Sequence, residues 1–325
     1  MSINNVTLKS SHFSNDLECK HVFIIGSPIV LFISRIIIDK YKIPARNIYL
    51  VRLRNLDMQL IKADIIDIKL SFFDKVFRKI FLFSLYGIKL RRAIEKKCSK
   101  FVLYFDWDNR VNVEILNSRK CIAHAYIEEG QTAFNNLPLY FLKKDRISQW
   151  LRLRRWKKSS DLMLKRCSDQ STFNDYFNSN AFAFFTLFQD AFPLIDKSKK
   201  IYLNDFKLVK KYYKPQLLGK TYIGLMCSPR RLKNDWSNTI KKLVNSLPNK
   251  AVIKLHPEFY ADNVLYKKFV NILECNNTKQ LTICNQKIIV EAEMLFEKKF
   301  LIGPLTSLEK YAKLFGSNFK RIEIY

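Results

Sequence analysis

Short apolar runs alternate with helical segments along this chain, and this alternation constrains the fold more than any other feature of the sequence. In the first part of the chain, runs typical of buried strands occur at 21–25, 47–52, 101–105 and 122–127. Segments with a helical spacing of apolar residues separate them, at 29–41, 73–97 and 111–117. Strands that alternate with helices predict a parallel α/β sheet.

The same alternation restarts after a Lys-rich stretch at 196–215 that has no long apolar run. Strands are predicted at 221–227, 251–255, 281–284 and 300–302, and helices at 236–246, 291–296 and 308–315. A chain of 325 residues is long for one core and sufficient for two. We therefore predict two domains, 1–205 and 206–325. Two Rossmann-like α/β domains facing a central cleft form the GT-B architecture of nucleotide-sugar glycosyltransferases, which is the predicted fold.

The chain is strongly basic, with 57 Lys and Arg residues against 29 Asp and Glu residues and a net charge of +28. Such an excess favours anionic partners: nucleic acid, an anionic membrane surface or an anionic substrate. Drift in composition gives the same charge without any partner, since the chain is rich in Lys, Ile, Asn and Phe, as AT-rich coding would produce.

Cationic side chains are concentrated around Trp150 and Trp156 in residues 141–166. Aromatic residues among cations suit the headgroup layer of an anionic bilayer, stacking on nucleic-acid bases, or a solvated basic helix over the core. No helix-turn-helix, zinc-finger or RNA-recognition signature accompanies them, so nucleic acid is the least favoured partner. An anionic membrane surface and a solvated helix remain as the two main interpretations.

The cysteines and the apolar stretches predict a cytoplasmic protein without a membrane span. Seven cysteines are scattered with no Cys-x-x-Cys pair, as expected for reduced thiols rather than a disulfide framework or a zinc site. The polar start, Met1 to Asn5, differs from a signal peptide. The best span candidate, 22–38, is interrupted by Gly26-Ser27-Pro28 and Arg35 and is shorter than the roughly 20 residues a span needs.

Two short motifs follow predicted strands: Glu128-Glu129-Gly130 and His256-Pro257. Ligands of open α/β sheets bind beyond the carboxyl ends of the strands, so chemistry is expected at both motifs. A carboxylate can take a proton from an acceptor hydroxyl, and an imidazole can neutralise a leaving phosphate. Adjacent strand residues point to opposite faces, so at most one glutamate acts as base. A solvated acidic turn and a structural histidine are the alternative interpretations.

Other polar residues begin predicted helices. Thr306-Ser307 opens the last helix, where its hydroxyls either cap the helix or bind a phosphate. Asp235 precedes the helix at 236–246, in the position of an N-cap. The chain has no His-x-x-x-His motif and no cysteine cluster, so we expect neither a divalent metal nor another cofactor.

In order and spacing, these motifs resemble the bacterial sialyltransferases of glycosyltransferase family 52 and the related family 38 polysialyltransferases. Those families share an acidic-acidic-Gly motif, a His-Pro motif and a late Ser/Thr pair, which this chain has at 128–130, 256–257 and 306–307. Gly26-Ser27-Pro28 looks like the family opening, and 291–296 looks like the family's Pro-Ala-Glu-hydrophobic stretch.

The chain also departs from the family pattern. Family 52 members often read Lys-Pro-His-Pro-Arg, whereas this chain reads Lys254-Leu255-His256-Pro257-Glu258. The usual Ser-Ser is Thr306-Ser307, which keeps both hydroxyls. The identity of the donor sugar is therefore the weakest inference from the resemblance. Transferases for related acidic nine-carbon sugars, or for Kdo, are the alternatives.

The resemblance implies an inverting, metal-independent transfer of sialic acid, or a related acidic sugar, from its CMP-activated donor to a glycan. His256 would assist departure of the CMP phosphate, Thr306 and Ser307 would hold that phosphate, and Glu293 would bind the cytidine ribose. Glu128 is the favoured base by resemblance to the polysialyltransferases, and Asp235 is the base by resemblance to family 52.

The remaining motif residues are predicted to contact substrate: Glu129, Gly130, Pro257, Gly26 and Ser27. The implied acceptor is a surface glycan such as lipooligosaccharide or capsule, at the cytosolic face of the bacterial inner membrane, and a homodimer is left open. Two other functions stay open: a glycosyltransferase with another nucleotide-sugar donor, and a non-catalytic basic protein that binds membrane or nucleic acid through residues 141–166.

Overall fold

The structure, a computed structural model, describes residues 19–53, 56, 58–68, 85–107, 110–134, 180–232, 235–276 and 279–323. The chain divides into two compact units. The N-terminal unit comprises Met1–Arg54 and Met58–Asp205, and the C-terminal unit comprises Asn55–Asp57 and Phe206–Tyr325. The basic segment at 141–166 lies outside the described residues, so its predicted membrane contact stays a prediction.

The N-terminal unit is built on a seven-stranded parallel sheet with the order β3-β2-β1-β4-β5-β6-β7. Its strands are β1 (Cys19–Ile25), β2 (Ile48–Arg52), β3 (Asp64–Ile66), β4 (Lys100–Phe105), β5 (Cys121–Ile127), β6 (Ala181–Thr186) and β7 (Lys200–Tyr202). Its described helices are α1 (Pro28–Lys40), α2 (Leu85–Lys97) and α3 (Arg110–Leu116). The central strands are buried on both faces, which explains their continuous apolar runs.

Helix α1 follows β1 after a two-residue turn. Ser27 occupies the N-cap position and its Oγ accepts a hydrogen bond from the Val30 amide at 3.5 Å. Pro28 is the first helical residue, where its missing N–H costs nothing. The apolar stretch at 22–38 is therefore a buried strand followed by a buried helix.

Aromatic rings fill much of the core around the sheet of the N-terminal unit. Phe23 stacks on Tyr104 with the ring centroids 4.2 Å apart, and Tyr126 stacks on Phe184 at 5.1 Å. All four rings are fully buried. Stacked rings of this size bury large apolar areas, so these four residues contribute strongly to the core.

The C-terminal unit is built on a five-stranded parallel sheet with the order β10-β9-β8-β11-β12. Its strands are β8 (Tyr222–Leu225), β9 (Val252–Lys254), β10 (Thr282–Ile283), β11 (Phe300–Gly303) and β12 (Asn318–Arg321). Its described helices are α4 (Lys207–Tyr212), α5 (Pro229–Leu232), α6 (Trp236–Ser246), α7 (Pro257–Ala261), α8 (Asn263–Asn276), α9 (Val290–Glu293) and α10 (Leu308–Leu314).

Two glycines let elements of the C-terminal unit approach closely. A Cβ on Gly303 of β11 would lie 2.7 Å from the Leu225 carbonyl oxygen of β8. A Cβ on Gly224 of β8 would lie 2.7 Å from Cδ1 of Leu247, after α6. The contact at Gly303 is with backbone, so β11 depends on glycine there, whereas at Gly224 the end of the Leu247 side chain would have to shift.

Two parallel α/β sheets with helices confirm the predicted fold class. The sequence did not predict strands β3, β6, β7 and β12, and it did not predict helices α4, α5, α7 and α8. Across the described stretches of the chain, every helix is too short or too polar to cross a bilayer.

Candidate active site

Three neighbouring strands of the C-terminal unit end at the same edge of their sheet. Strand β8 lies between β9 and β11, and all three are parallel. Ser228 follows β8, His256 follows β9, and Thr306 and Ser307 follow β11. Because neighbouring strands are about 4.8 Å apart, the ends of β9 and β11 are roughly 10 Å apart, with the end of β8 between them. The structure thus brings His256, Ser228 and the two hydroxyls to one edge.

His256 ends the extended segment of β9 and is the N-cap residue of α7. Its Nδ1 accepts a hydrogen bond from the Glu258 amide at 3.3 Å, and its side chain is about a third exposed. A ring nitrogen that accepts is unprotonated, so the neutral imidazole carries its hydrogen on Nε2. Pro257 is the first residue of α7, where its fixed φ suits the start of a helix.

Glu258 and Ser228 form a contact that the sequence analysis did not predict. The Ser228 hydroxyl donates a hydrogen bond of 2.6 Å to Oε2 of Glu258, so the loops after β8 and β9 are joined. In the sequence, Glu258 stands out only because the family 52 sialyltransferases often have arginine at that place. Ser228 stands out only because it follows a predicted strand.

Thr306 and Ser307 precede α10, and their hydroxyls are used differently. Oγ1 of Thr306 accepts a hydrogen bond from the Leu308 amide at 3.4 Å. Ser307 is in the N-cap position, yet its side chain makes no capping hydrogen bond. Both residues are partly exposed. The structure therefore leaves the capping interpretation without support at Ser307.

The Arg231 guanidinium lies at the same edge. Arg231 belongs to α5, the short helix after β8, and its Nη1 donates to the Leu305 carbonyl oxygen in the loop after β11 at 3.5 Å. The side chain is exposed. It adds a positive charge beside Thr306 and Ser307 and is another residue that the sequence analysis missed.

Asp235 occupies the N-cap position of α6, but its carboxylate makes no capping hydrogen bond. The connection from β8 leaves at the carboxyl end of the strand, so the start of α6 lies at this same edge. The side chain is half-buried. The structure thus places Asp235 on the edge that carries Ser228 and His256.

Glu293, the predicted ribose ligand, lies inside the C-terminal unit and is fully buried. Its Oε1 accepts from the Tyr213 hydroxyl and the Gln216 amide, both at 2.8 Å, and its Oε2 accepts from the Leu217 amide at 3.0 Å. Burial, and then the negative charge of Glu293, raises the pKa of the Tyr213 phenol. In this structure the carboxylate binds residues 213–217, and its role toward a ribose stays a prediction.

Glu128 directly follows β5 in the N-terminal unit and is also fully buried. Its Oε2 accepts from the Thr186 hydroxyl and, at 2.9 Å, from the Leu187 amide. An acceptor hydroxyl would reach this carboxylate only if the loop after β6 moved. Glu129 is partly exposed, and Gly130 has a φ of 52°, which explains the glycine at this turn.

The predicted residues Gly26 and Ser27 lie at the carboxyl end of β1, beside the end of β4. Asp106 follows β4 and was not predicted to belong to a site. Its Oδ1 accepts from the Trp107 amide at 2.9 Å, and its Oδ2 lies 3.3 Å from where a Cβ on Gly26 would be. The rule that ligands bind at strand ends would have drawn attention to Asp106.

Among the residues that the structure describes, there is no cluster of three or more His, Cys, Asp or Glu side chains suited to a metal ion. The expectation that the protein needs no metal or other cofactor stays a prediction.

Comparisons with known proteins show the fold alone. No family model matches the chain, and no curated protein matches it. The chain is similar to the structure of UDP-N-acetylglucosamine 2-epimerase from Rickettsia bellii, at 12% identity over 94% of this chain and 79% of that chain, with a TM-score of 0.52. The chain is also similar to the UDP-GlcNAc 2-epimerase from Neisseria meningitidis, solved bound to UDP-GlcNAc. The identity is 12% over 94% of this chain and 83% of that chain, with a TM-score of 0.52.

A third similar structure is the complex of S. aureus MnaA with UDP, at 11% identity over 92% of this chain and 78% of that chain, with a TM-score of 0.53. These likenesses agree with the predicted two-domain Rossmann-like α/β fold of the GT-B type. The finer resemblance to sialyltransferases stays a prediction.

Proposed function

We propose that the protein is a nucleotide-sugar-dependent glycosyltransferase whose C-terminal unit binds the phosphate of the donor. The observation that carries the proposal is the common edge formed by His256, Ser228 and Thr306-Ser307 after three neighbouring parallel strands. Nucleotides bind at this edge in open α/β sheets. The donor, the acceptor and the chemistry are parts of the proposal.

The C-terminal unit offers suitable groups for a phosphate that leaves as an anion. The Nε2–H of His256 would donate a hydrogen bond to a phosphate oxygen, and the hydroxyls of Thr306 and Ser307 would donate two more. The Arg231 guanidinium supplies a full positive charge beside them. Donors fixed in place before the reaction stabilise the charge that develops as the sugar leaves.

Asp235 is the better placed of the two predicted bases. Its carboxylate makes no capping hydrogen bond and stands at the edge with His256, whereas the Glu128 carboxylate is enclosed and bound to the loop after β6. Asp235 would take the proton of the acceptor hydroxyl as that oxygen attacks the anomeric carbon. The Asp235→Asn substitution should lower kcat by about 100- to 10,000-fold without changing the thermal midpoint.

The nucleotide of the donor is tested by ligand binding. Thermal unfolding of the full chain would be followed with CMP, UMP, UDP and GDP, since a ligand at 100 times its Kd stabilises the folded state by about 2.7 kcal/mol. We expect a rise in the midpoint with at least one nucleotide and its loss in His256→Ala. Glu274→Gln, on the exposed side of α8, is the matched control. No rise with any nucleotide would contradict the proposal.

Two donor classes are separated by the same experiment. The motif resemblance favours CMP-sialic acid or a related CMP-sugar, and the structures of similar fold include complexes with UDP and UDP-GlcNAc. A response to CMP with slow release of CMP from CMP-sialic acid would support the first class. A response to UDP with hydrolysis of a UDP-sugar would support the second, and would remove the sialyltransferase hypothesis.

A nucleotide-sugar epimerase is the second candidate, because two of the structures of similar fold are UDP-GlcNAc 2-epimerases by name. Incubating the protein with UDP-GlcNAc without an acceptor distinguishes the two by proton NMR. An epimerase produces a second UDP-sugar with a new anomeric signal. A transferase produces free UDP and free sugar slowly, or leaves the donor unchanged.

The acceptor rests on the motif resemblance alone: a surface glycan such as lipooligosaccharide or capsule. Binding to an anionic membrane through residues 141–166 would bring the enzyme to a lipid-linked acceptor. Vesicle co-sedimentation of the full chain tests this, with salt expected to weaken binding to anionic vesicles. Equal binding to neutral vesicles, or retention only by DNA, would count against it.

A further inference from the structure

The Glu258 carboxylate joins the loops that follow two neighbouring strands, β8 and β9. The Ser228 hydroxyl donates to its Oε2 at 2.6 Å. A hydrogen bond of this length to a carboxylate is charge-assisted and fixes the geometry of both partners. The Ser228 carbonyl accepts from the Arg231 amide at 2.9 Å, which holds the serine at the start of α5. The Glu258 carboxylate is therefore anchored from the strand next to its own.

Glu258 also contacts His256 through two different groups. Its amide donates to Nδ1 of the imidazole at 3.3 Å, and its Oε2 lies 3.9 Å from the same Nδ1. The amide is a donor and the carboxylate is an acceptor, so they favour different protonation states of that nitrogen. The shorter contact is with the amide, which favours the neutral ring with its hydrogen on Nε2.

The protonation state decides which chemistry His256 can perform. A neutral ring with hydrogen on Nε2 can donate a hydrogen bond to a phosphate, but giving that proton away would leave an imidazolate anion. A general acid must begin as imidazolium, with a hydrogen on Nδ1 as well. That hydrogen would need the Glu258 carboxylate, rather than the amide, as its partner.

We propose that Glu258, anchored by Ser228, is a positioning residue that holds His256 as a neutral Nε2–H donor to the departing phosphate. This inference rests on the proposed function, because it assigns His256 a phosphate ligand. His256 then stabilises the leaving group with a hydrogen bond that strengthens as charge develops, and it transfers no proton.

The reaction balances without a general acid. The acceptor oxygen forms a bond to the anomeric carbon, and the bond from that carbon to the phosphate oxygen breaks. Its electron pair leaves with the phosphate. The acceptor proton passes to the Asp235 carboxylate, and the phosphate leaves as an anion that His256, Thr306 and Ser307 hold.

Two substitutions at Glu258 distinguish the effect of its anchored side chain on the position of His256 from the effect of its negative charge. Glu258→Gln keeps the amide and an oxygen that accepts from Ser228, so kcat should stay within about threefold of the wild type. Glu258→Ala removes the anchor, and a loosened imidazole should lower kcat by about 10- to 100-fold, with a smaller change in the donor KM. Ser228→Ala should fall between them. Glu274→Gln on α8 serves as the control carboxylate, with no change expected.

The tautomer is measured without turnover. Nitrogen-15 NMR of histidine-labelled protein, assigned with His256→Ala, should show hydrogen on Nε2 and none on Nδ1 at a pH where the ring is neutral. A wild-type His256 with hydrogen on Nδ1 would overturn the inference even if the protein proves to be a transferase. Conversely, an Nε2–H tautomer that depends on Ser228 and Glu258 would uphold the positioning in a protein that turns over no nucleotide-sugar.

The kinetic outcomes also decide the matter. Unchanged kcat in Glu258→Ala would show that the carboxylate positions nothing. A loss in Glu258→Gln as large as in Glu258→Ala would show that the negative charge matters, and with it an imidazolium general acid. Thermal unfolding curves would show whether a Glu258 variant has lost its folded structure. In that case kcat of Ser228→Ala provides the independent measurement, since this variant leaves Glu258 intact.

Discussion

Acidification should destabilise the N-terminal unit through one buried histidine, His21. The side chain lies inside the sheet on β1, and its Nδ1 is 2.9 Å from the Tyr104 hydroxyl of β4. Burial lowers the pKa of His21 from 6.5 to about 4. The charged imidazolium is disfavoured in the folded state because the surrounding core cannot solvate it.

The direction and size of the effect follow from the two pKa values. As the pH falls, the unfolded chain binds the His21 proton before the folded chain does. The free energy of unfolding therefore has its full value above pH 6.5 and decreases as the pH falls from 6.5 toward 4. The full difference corresponds to about 3 kcal/mol, and roughly 2 kcal/mol of it should be lost between pH 7 and pH 5. Such a loss is a large part of the stability of an ordinary domain.

Urea unfolding at pH 7 and pH 5 tests this, with peptides from β1 and β4 followed by pulsed hydrogen exchange and mass spectrometry. The peptides report on the N-terminal unit separately, which matters because a chain of two units need not unfold in one step. His21→Asn keeps a hydrogen-bonding group toward Tyr104 but does not titrate. The wild type should lose about 2 kcal/mol more than His21→Asn between the two pH values.

An equal loss in both proteins would refute the reasoning, because His21 would then hold its proton equally well in the folded state. Tyr104→Phe supplies a second comparison. It removes the hydroxyl and keeps the aromatic ring beside the imidazole, so most of the pH dependence should remain if burial is the cause. Loss of the pH dependence in Tyr104→Phe would assign the effect to the hydrogen bond instead.

Three further substitutions test the C-terminal unit. Gly303→Ala should destabilise it by about 1–3 kcal/mol in urea unfolding, since the added Cβ would lie 2.7 Å from the Leu225 oxygen, and an unchanged midpoint would contradict that close approach. Ser307→Ala should change the free energy of unfolding by less than about 0.5 kcal/mol, because the Ser307 hydroxyl does not cap α10. Loss of a capping serine would cost about 1 kcal/mol, and calorimetry distinguishes the two results. Glu293→Ala should lower the free energy of unfolding by on the order of 3 kcal/mol, because the buried Tyr213 hydroxyl and two amides lose their acceptor. A stable variant that has lost nucleotide binding would instead support the ribose role.

The sequence predicts most of the buried strands because strands covered on both faces read as continuous apolar runs, although it missed β6, which is also buried. β1, β4 and β5 are of this kind. Edge strands give no such run. β12 reads Asn-Phe-Lys-Arg and is mostly exposed, so nothing in its sequence marks a strand. Its conformation comes from pairing with β11.

The candidate site is predictable where a residue follows a recognisable strand, as His256 and Thr306 do. Ser228 and Glu258 are 30 residues apart, and their contact exists only because β8 pairs with β9. The adjacency of Glu128 and Glu129 predicts only that at most one of them acts as base. That the Glu128 carboxylate accepts from the Leu187 amide depends on the loop after β6, and the sequence of the motif does not contain that information.

Hydrogen bonds between neighbouring loops hold together the edge of the C-terminal unit that we propose as a binding surface. Ser228 and Glu258 join the loops after β8 and β9, and Arg231 joins the helix after β8 to the loop after β11. Lys254 joins β9 to the loop after β10 through the carbonyl oxygens of residues 285 and 286. Each link connects strands that are neighbours in the sheet but distant in the chain. Groups held in this way need little reordering when an anion binds, and preorganised donors are what a leaving phosphate requires. The cross-linked edge, more than any single motif, is therefore the reason to look for the donor phosphate in this unit.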